Sequence, residues 1–148
     1  MTSRTKRKKV VDALVEKIKL INGNSPYNSN VSSNVTGRLK FLDEIEKYPA
    51  IFVVAGEEFR EYLPDQFKWR LLDLTIRAYI NDNNDAQETL ALLMEDIERI
   101  IDDNDNLVYD DTVSPSLSTT SLTIGSISTD EGVIAPLGIG EMTLRVRY

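Results

Sequence analysis

The sequence predicts an α+β domain in which two amphipathic helices pack on one face of a largely antiparallel, mixed sheet. Two segments carry apolar residues at three- and four-residue steps, the period of an amphipathic helix. Two others alternate apolar and polar residues, the period of a half-buried strand. At 148 residues the chain has room for one core but not for two, so residues 1–148 are predicted to form a single domain.

The first predicted helix runs from about Arg4 to Leu20 and ends at Asn22-Gly23-Asn24, a typical helix stop. Residues 25–33 are rich in Ser and Asn and predict a loop. A short strand is then indicated by Val31, Val35 and Leu39. The stripe that predicts the helix consists of Val10, Val11, Leu14, Ile18 and Ile21.

The middle of the chain predicts two strands. Residues 51–55 are continuously apolar, which favours a strand buried on both faces. We expect Gly56 to end it and residues 57–66 to form a polar loop. From Lys68 the chain alternates strictly, which predicts a half-buried strand with one polar face. The inward residues of that strand are Leu72, Leu74, Ile76, Ala78 and Ile80.

The second half predicts a helix, a loop and two further strands. Residues 81–85 offer helix N-caps, and the apolar residues from Ala86 to Ile101 follow a helical period. Residues 110–120 indicate a loop, 121–129 a strand, and 132–140 a turn that accounts for Gly138 and Gly140. The closing strand carries its apolar residues at Met142, Leu144, Val146 and Tyr148.

Composition excludes several kinds of chemistry. The chain has no Cys and no His, so it lacks thiolate nucleophiles, disulfides, and the commonest general base and metal ligand. No apolar stretch approaches the length that crosses a bilayer, so we expect no membrane association and a protein made in the cytoplasm. No catalytic residue, metal ligand or cofactor site is predicted.

Three motif fragments in the chain are incomplete. An EF-hand loop from Asp102 would need Gly and Glu where the chain has Leu107 and Val113. Pro64-Asp65 could begin a metal-dependent nuclease motif, but the next strand offers Asp73-Leu74-Thr75, which has no lysine where that motif needs one. Gly138-Ile139-Gly140 precedes a strand rather than a helix, so it predicts no phosphate loop.

Charge is distributed unevenly along the chain. The net charge is −7, yet the first nine residues carry five positive charges, which leaves −12 for the rest. We predict a short basic N-terminal arm, residues 1–9, that is either solvated or bound to an acidic subunit face or to phosphates. Residues 82–111 hold eleven acidic residues and one basic residue, Arg99. The basic residues of the arm are Arg4, Lys6, Arg7, Lys8 and Lys9.

A second set of candidate interface residues lies in the predicted loop after Gly56 and in the closing strand. Phe59 and Tyr62 are aromatic in a charged segment, and aromatic residues are enriched at the centres of interfaces. Long loops at 57–66 and 109–120 also suit subunit contacts. The remaining candidates for a subunit or partner interface are Glu57, Glu58, Arg60, Arg145 and Arg147.

The order of these segments resembles the tail terminators of long-tailed bacteriophages over roughly residues 18–148. The resemblance is carried by Tyr48-Pro49-Ala50-Ile51-Phe52-Val53 with Gly56-Glu57, by the strand 72–79 and the helix around 90–98, and by 130–132, 136–138 and 142–148. It does not include the basic arm. Tail-completion and neck proteins are similar in pattern.

The resemblance implies a structural virion protein that forms a hexameric ring on the head-proximal end of the tail tube. Such a ring stops tube polymerisation, contacts the tail tube protein, and docks the head or neck connector protein. DNA would pass through its lumen without specific binding. Two alternatives stay open: a nucleic-acid-associated protein that binds through the basic arm, and a head–tail neck or connector protein.

Overall fold

The computed structural model describes residues 5–31 and 34–148, which form an α+β domain as predicted. Within these residues a five-stranded sheet has the order β1-β2-β3-β7-β6, and β4 pairs with β5 separately. β1 runs parallel to β2, and all the other neighbours are antiparallel. The elements are α1 Lys6–Ile18, β1 Val35–Thr36, a 3-10 turn Leu42–Glu44, β2 Ala50–Tyr62, β3 Lys68–Asn81, α2 Ala86–Asp103, β4 Val108–Asp110, β5 Leu117–Ser118, β6 Ser121–Thr129 and β7 Leu137–Arg147.

Both helices cover the same face of the sheet, as the sequence predicts. Alternate residues of β3 and β7 point toward the helices, because side chains alternate across a strand. The predicted inward residues of β3 are all buried there, and so are Met142, Leu144 and Val146 of β7. We call the opposite side the open face; neither α1 nor α2 covers it, although Ile45 and Tyr48 pack on Ala50, Phe52 and Tyr79 at one end of it. The helices contribute Val10, Leu14, Ile18, Leu90, Leu93 and Ile97 to this core.

The described basic residues at the start of the chain, Lys6 to Lys9, lie in the first turns of α1, and residues 1–4 of the predicted arm lie outside the described residues. Thr5 is the N-cap of α1 and its hydroxyl accepts a hydrogen bond from the Lys8 backbone at 3.2 Å. Positive charge at a helix N-terminus opposes the helix dipole. Two carboxylates offset it, since Lys8 pairs with Asp12 at 2.9 Å and Lys9 with Asp110 at 2.7 Å.

The predicted loop at residues 57–66 is wrong. β2 continues through Gly56, with a bulge between Ala55 and Glu58, and pairs with β3 as far as Tyr62. Residues 63–67 make the turn, where Asp65 and Gln66 adopt positive φ angles of 65° and 63°. The segment gave no strand signal because most of its side chains are exposed, so neither face is marked by apolar residues.

Three smaller expectations also need correction. Of the strand expected from Val31 to Leu39, residues 32 and 33 lie outside the described residues, and the described part forms a strand at Val35 and Thr36 alone. Part of the loop expected at 109–120 pairs as β4 and β5. Gly138 and Gly140 lie inside β7 and not in a turn. A Cβ at Gly140 would lie 2.6 Å from Met94 Sδ, so the missing side chain lets α2 pack closely on β7.

A buried carboxylate fastens the loop after α1 to α2. Asp96 of α2 is fully buried, and its oxygens accept hydrogen bonds from the backbone of Asn28 at 2.9 Å and of Ser29 at 2.7 Å. The Asp96 carboxylate loses its water on burial, so it requires hydrogen-bond donors from the protein. Asp96 is therefore a structural part of the fold rather than a candidate ligand.

Candidate functional site

The hairpin formed by β2 and β3 extends beyond the rest of the sheet. The last residue of β7, Arg147, pairs with Leu71, whereas β2 and β3 continue to pair with each other through Tyr62 and Lys68. We call residues 60–70 the projecting hairpin. It carries Tyr62, which is 72% exposed, and Phe67, which is 50% exposed. Exposed aromatic side chains on a projecting element are typical of protein interfaces.

The base of the projecting hairpin is the part of β2 and β3 that adjoins the end of β7. On the open face, Arg145 holds this base in place. Its guanidinium donates two hydrogen bonds to Asp73, at 2.8 and 3.2 Å, and lies 5.1 Å from the centre of the Phe59 ring. The hydrogen bonds and charge of Asp73 raise the pKa of Arg145, so it stays charged. A planar, fully charged guanidinium suits both contacts at once.

Arg147, two residues further along β7, makes a second contact between a guanidinium and an aromatic ring. Its guanidinium lies 4.3 Å from the centre of the Trp69 ring and donates to the Thr120 hydroxyl at 3.0 Å. Trp69 in turn meets the edge of Phe67 at 5.0 Å between ring centres. The open face therefore presents arginines interleaved with aromatic rings where the hairpin leaves the sheet.

On the helix-covered side the base is held by Glu58, Arg70 and Tyr148. Arg70 donates to both Glu58 oxygens, at 3.2 and 3.3 Å, and the Tyr148 hydroxyl donates to Glu58. The Arg70 guanidinium also lies 4.7 Å from the centre of the Tyr148 ring. Burial raises the pKa of Glu58, but the hydrogen bonds from Tyr148 and Arg70 outweigh it and the net pKa is lowered. Burial and Glu58 both raise the pKa of Tyr148, so it remains a donor.

The structure brings most of the predicted interface residues to this base. Glu57, Glu58, Phe59, Arg60 and Tyr62 lie on β2, and they point alternately to the two sides of the sheet. Arg145 and Arg147 are close to them because β7 pairs with β3 in this register.

The described basic residues of the predicted arm lie at the start of α1, next to the helix-covered side of the base. Lys6, Arg7, Lys8 and Lys9 lie in the first turns of α1, while Arg4 falls outside the described residues. Arg7 is close enough to contribute to the lowered pKa of Glu58. Lys9 forms an ion pair with Asp110, and its hydrogen bond lowers the pKa of Asp110 to about 2.

Sequence reasoning missed three residues of the site. Arg70 and Tyr148 carry no local signal, because their partner Glu58 is reached only through strand pairing. Trp69 lies against the Arg147 guanidinium at the edge of the open face, a contact that no local pattern indicates. The contact of Trp69 with Arg147 follows from the register of β3 and β7, which the sequence alone does not give.

Metal-binding clusters and membrane-spanning helices are absent from the described residues. Across residues 5–31 and 34–148, no group of three or more acidic side chains converges as a metal site would require. Neither helix in this part of the chain combines the length and apolarity needed to span a bilayer. The surface features that stand out are the projecting hairpin, its arginine–aromatic base, and the acidic outer side of α2.

These features define a small α+β protein whose distinctive surface is a projecting aromatic hairpin. A family model described as Bacteriophage Tail Tube Terminator Protein matches residues 4–148. The tail tube terminator protein p142 of Escherichia phage T5 is 38% identical over 151 residues, covering 96% of this chain and 92% of that protein. The chain therefore belongs to the bacteriophage tail tube terminator family, which confirms the resemblance found in its sequence.

A solved structure supports the fold independently. A chain in the virion of a native gene transfer agent particle superposes with a TM-score of 0.56 at 10% identity, covering 98% of both chains. At that identity the likeness concerns the fold alone.

Proposed function

We propose that this protein is a non-catalytic virion component that caps the head-proximal end of the tail tube as a ring of about six subunits. The ring stops polymerisation of the tail tube protein and provides the docking surface for the head or neck connector. The observation that carries the proposal is the match to the terminator family over residues 4–148, together with 38% identity to a tail tube terminator.

The geometry supports an interface at the projecting hairpin and its base. Tyr62 and Phe67 expose aromatic rings that the fold does not use for its own core. The base beneath them is fixed on both sides by arginine contacts, so the rings are presented on a firm support. A preorganised aromatic surface loses little conformational freedom on binding. We assign this surface to contacts with the tail tube or a neighbouring subunit.

The acidic side of α2 fits the passage of DNA. Glu95, Glu98, Asp102 and Asp103 lie together there beside Arg99. Like charge discourages the DNA backbone from binding, so an acidic lumen would let DNA slide. The alternative of DNA binding through the basic residues is weaker, because carboxylates already pair with Lys8 and Lys9.

The proposal is tested by mixing the purified protein with assembling tail tube protein. Native mass spectrometry and electron microscopy should show rings of about six subunits, and tube length should fall as the protein is added. A monomer at every concentration combined with unchanged tube lengths would overturn the proposal. Rings that bind head connectors but never tube ends would favour the neck or connector protein instead.

A matched pair of variants tests the assigned surface. Tyr62→Ala combined with Phe67→Ala should abolish tube capping, because it removes the exposed aromatic rings. Val133→Ala removes an apolar side chain that is 82% exposed outside the hairpin, and should cap normally. Equal capping by both variants would remove the hairpin from the interface.

A further inference from the structure

The sheet ends in two edges whose outer sides are largely unpaired among the described residues. β6 is the last strand on one side. On the other side β1 covers only Ile51 and Phe52 of β2, so residues 54–62 have a partner strand on one side alone. Asp105 occupies the start of the β6 edge by accepting from the Leu122 backbone at 3.1 Å. The open part of β6 is thus residues 123–129.

The β6 edge has little of the usual protection against pairing. Native proteins guard an exposed edge with charged side chains, proline or bulges, since its free N–H and C=O groups attract another strand. β6 reads SLTIGSIST, without a charge or a proline, in a chain that is 28% charged. Its single irregularity is the shift between Ile124 and Ser126. An uncharged edge of this length points to a strand that covers it.

Strand directions identify the partner as β2 of a second copy. Every neighbouring pair from β2 through β3 and β7 to β6 is antiparallel, so β2 and β6 run in opposite directions. Rotation about an axis along the strands preserves those directions. It would bring β6 of one copy antiparallel to β2 of the next and continue the sheet. Pairing of β6 with β2 of the next copy uses both free edges of each sheet, whereas a two-fold contact between two β6 strands would leave the edge of β2 unpaired.

We propose that adjacent subunits join by antiparallel pairing of β6, residues 123–129, with the outer edge of β2, residues 54–62. The proposal rests on the proposed ring, for which it supplies the subunit contact. Backbone hydrogen bonds give such an edge contact its affinity, and the uncharged β6 places no like charge against Glu57, Arg60 or Glu61 of β2. A sheet continued in this way around the ring leaves no free edge.

Cysteine cross-linking tests the pairing directly, because the chain contains no cysteine of its own. Ser126→Cys and Ser128→Cys would each be combined with a cysteine at every position from 57 to 62. Both serines lie on the open face, as do Phe59 and Glu61, so oxidation should link them to these positions and not to Glu58 or Arg60. Moving from Ser126 to Ser128 should shift the best partner two residues toward Ala55.

Several outcomes would overturn the pairing. A shift in the opposite direction would mean parallel strands, and covalent dimers from Ser126→Cys alone would mean a two-fold β6–β6 contact. Thr143→Cys, which faces Ser126 from β7 one strand further in, is the matched control and should give no cross-link. The absence of cross-linked oligomers at every combination would also refute the contact.

Electron microscopy of the same samples separates this inference from the proposed function. Rings without cross-links would overturn the pairing and leave the terminator ring intact. Cross-links with the antiparallel shift but without rings would uphold the pairing and overturn the ring. Neither rings nor cross-links, even with tail tube protein present, would overturn both.

A blocking variant provides an independent readout. Ser126→Lys places a charge on the edge strand and should abolish rings at concentrations where the unmodified protein forms them. Thr143→Lys places the same charge on the same face but away from the edge, and should retain rings. Circular dichroism would establish that both variants are folded. Equal ring formation by the two variants would contradict the pairing.

Discussion

The covered half of the β2–β3 pair and the projecting hairpin are made by the same two strands but differ in how far their side chains are buried. In the covered half Ile51, Val53 and Ile76 are fully buried under the helices. In the projecting hairpin Tyr62 and Phe67 are half or more exposed. We therefore expect the covered half to carry the folding energy of these strands. The exposed aromatics add nothing to the core, and the interface proposed above would account for their exposure.

The comparison is tested most strongly by removing one large side chain from each region. Ile97→Ala empties a fully buried site under the sheet and should lower the free energy of unfolding by about 2–5 kcal/mol. Tyr62→Ala should change it by less than about 0.5 kcal/mol, because the ring is exposed. Urea unfolding followed by circular dichroism measures both. Similar losses would show that the hairpin is part of the core.

The next largest effect is expected where the loop after α1 meets α2. Asp96→Ala removes the buried carboxylate that accepts from the Asn28 and Ser29 backbone donors and should cost about 1–3 kcal/mol. Asp103→Ala, at the exposed end of the same helix, is the control and should be nearly neutral. Equal thermal stability of the two variants would show that the hydrogen bonds of Asp96 to the loop after α1 do not stabilise the fold.

A smaller effect should be confined to the base of the hairpin. Tyr148→Phe removes the hydroxyl that donates to Glu58, while Arg70 keeps its two bonds, so the loss should be about 1–2 kcal/mol. Amide hydrogen exchange should accelerate in residues 58–70 and stay unchanged in α2. Tyr62→Phe serves as the control. Uniform acceleration across the chain would mean that the base is not an independent unit.

The smallest effect is a pH dependence at the start of α1. Asp110 has a pKa of about 2 when folded and 3.8 as a free side chain, so its contribution to stability is complete above about pH 5. That contribution is lost as the pH falls from about 4 to 2. The stability difference between the unmodified protein and Lys9→Gln should shrink over that range. Lys8→Gln, which breaks the more exposed pair with Asp12, should show a weaker trend.

The covered half of the molecule could be predicted from sequence, and the projecting hairpin could not. Period-two and helical patterns arise from burial on one side, so they found α1, α2, β3 and β7. Residues 57–62 are largely exposed on both sides and leave no such pattern. The fold class followed from the first group of elements, since those elements carry the core.

The candidate site was found only in part for a related reason. Phe59, Tyr62, Arg145 and Arg147 stood out by residue type, but their spatial grouping depends on the register of β2, β3 and β7. Glu58 and Tyr148 are 90 residues apart, and no local pattern indicates their contact. Residue types can suggest which side chains bind, whereas the pairing of distant strands decides which of them meet.

The position of Trp69 gives the protein an optical reporter. It is the one tryptophan in the sequence, and it lies at the base of the projecting hairpin with its ring against Arg147 and Phe67. Its emission therefore senses the hairpin and not the region beneath the helices. A shift in emission wavelength on mixing with tube subunits would time the docking event in a stopped-flow instrument, without any attached dye.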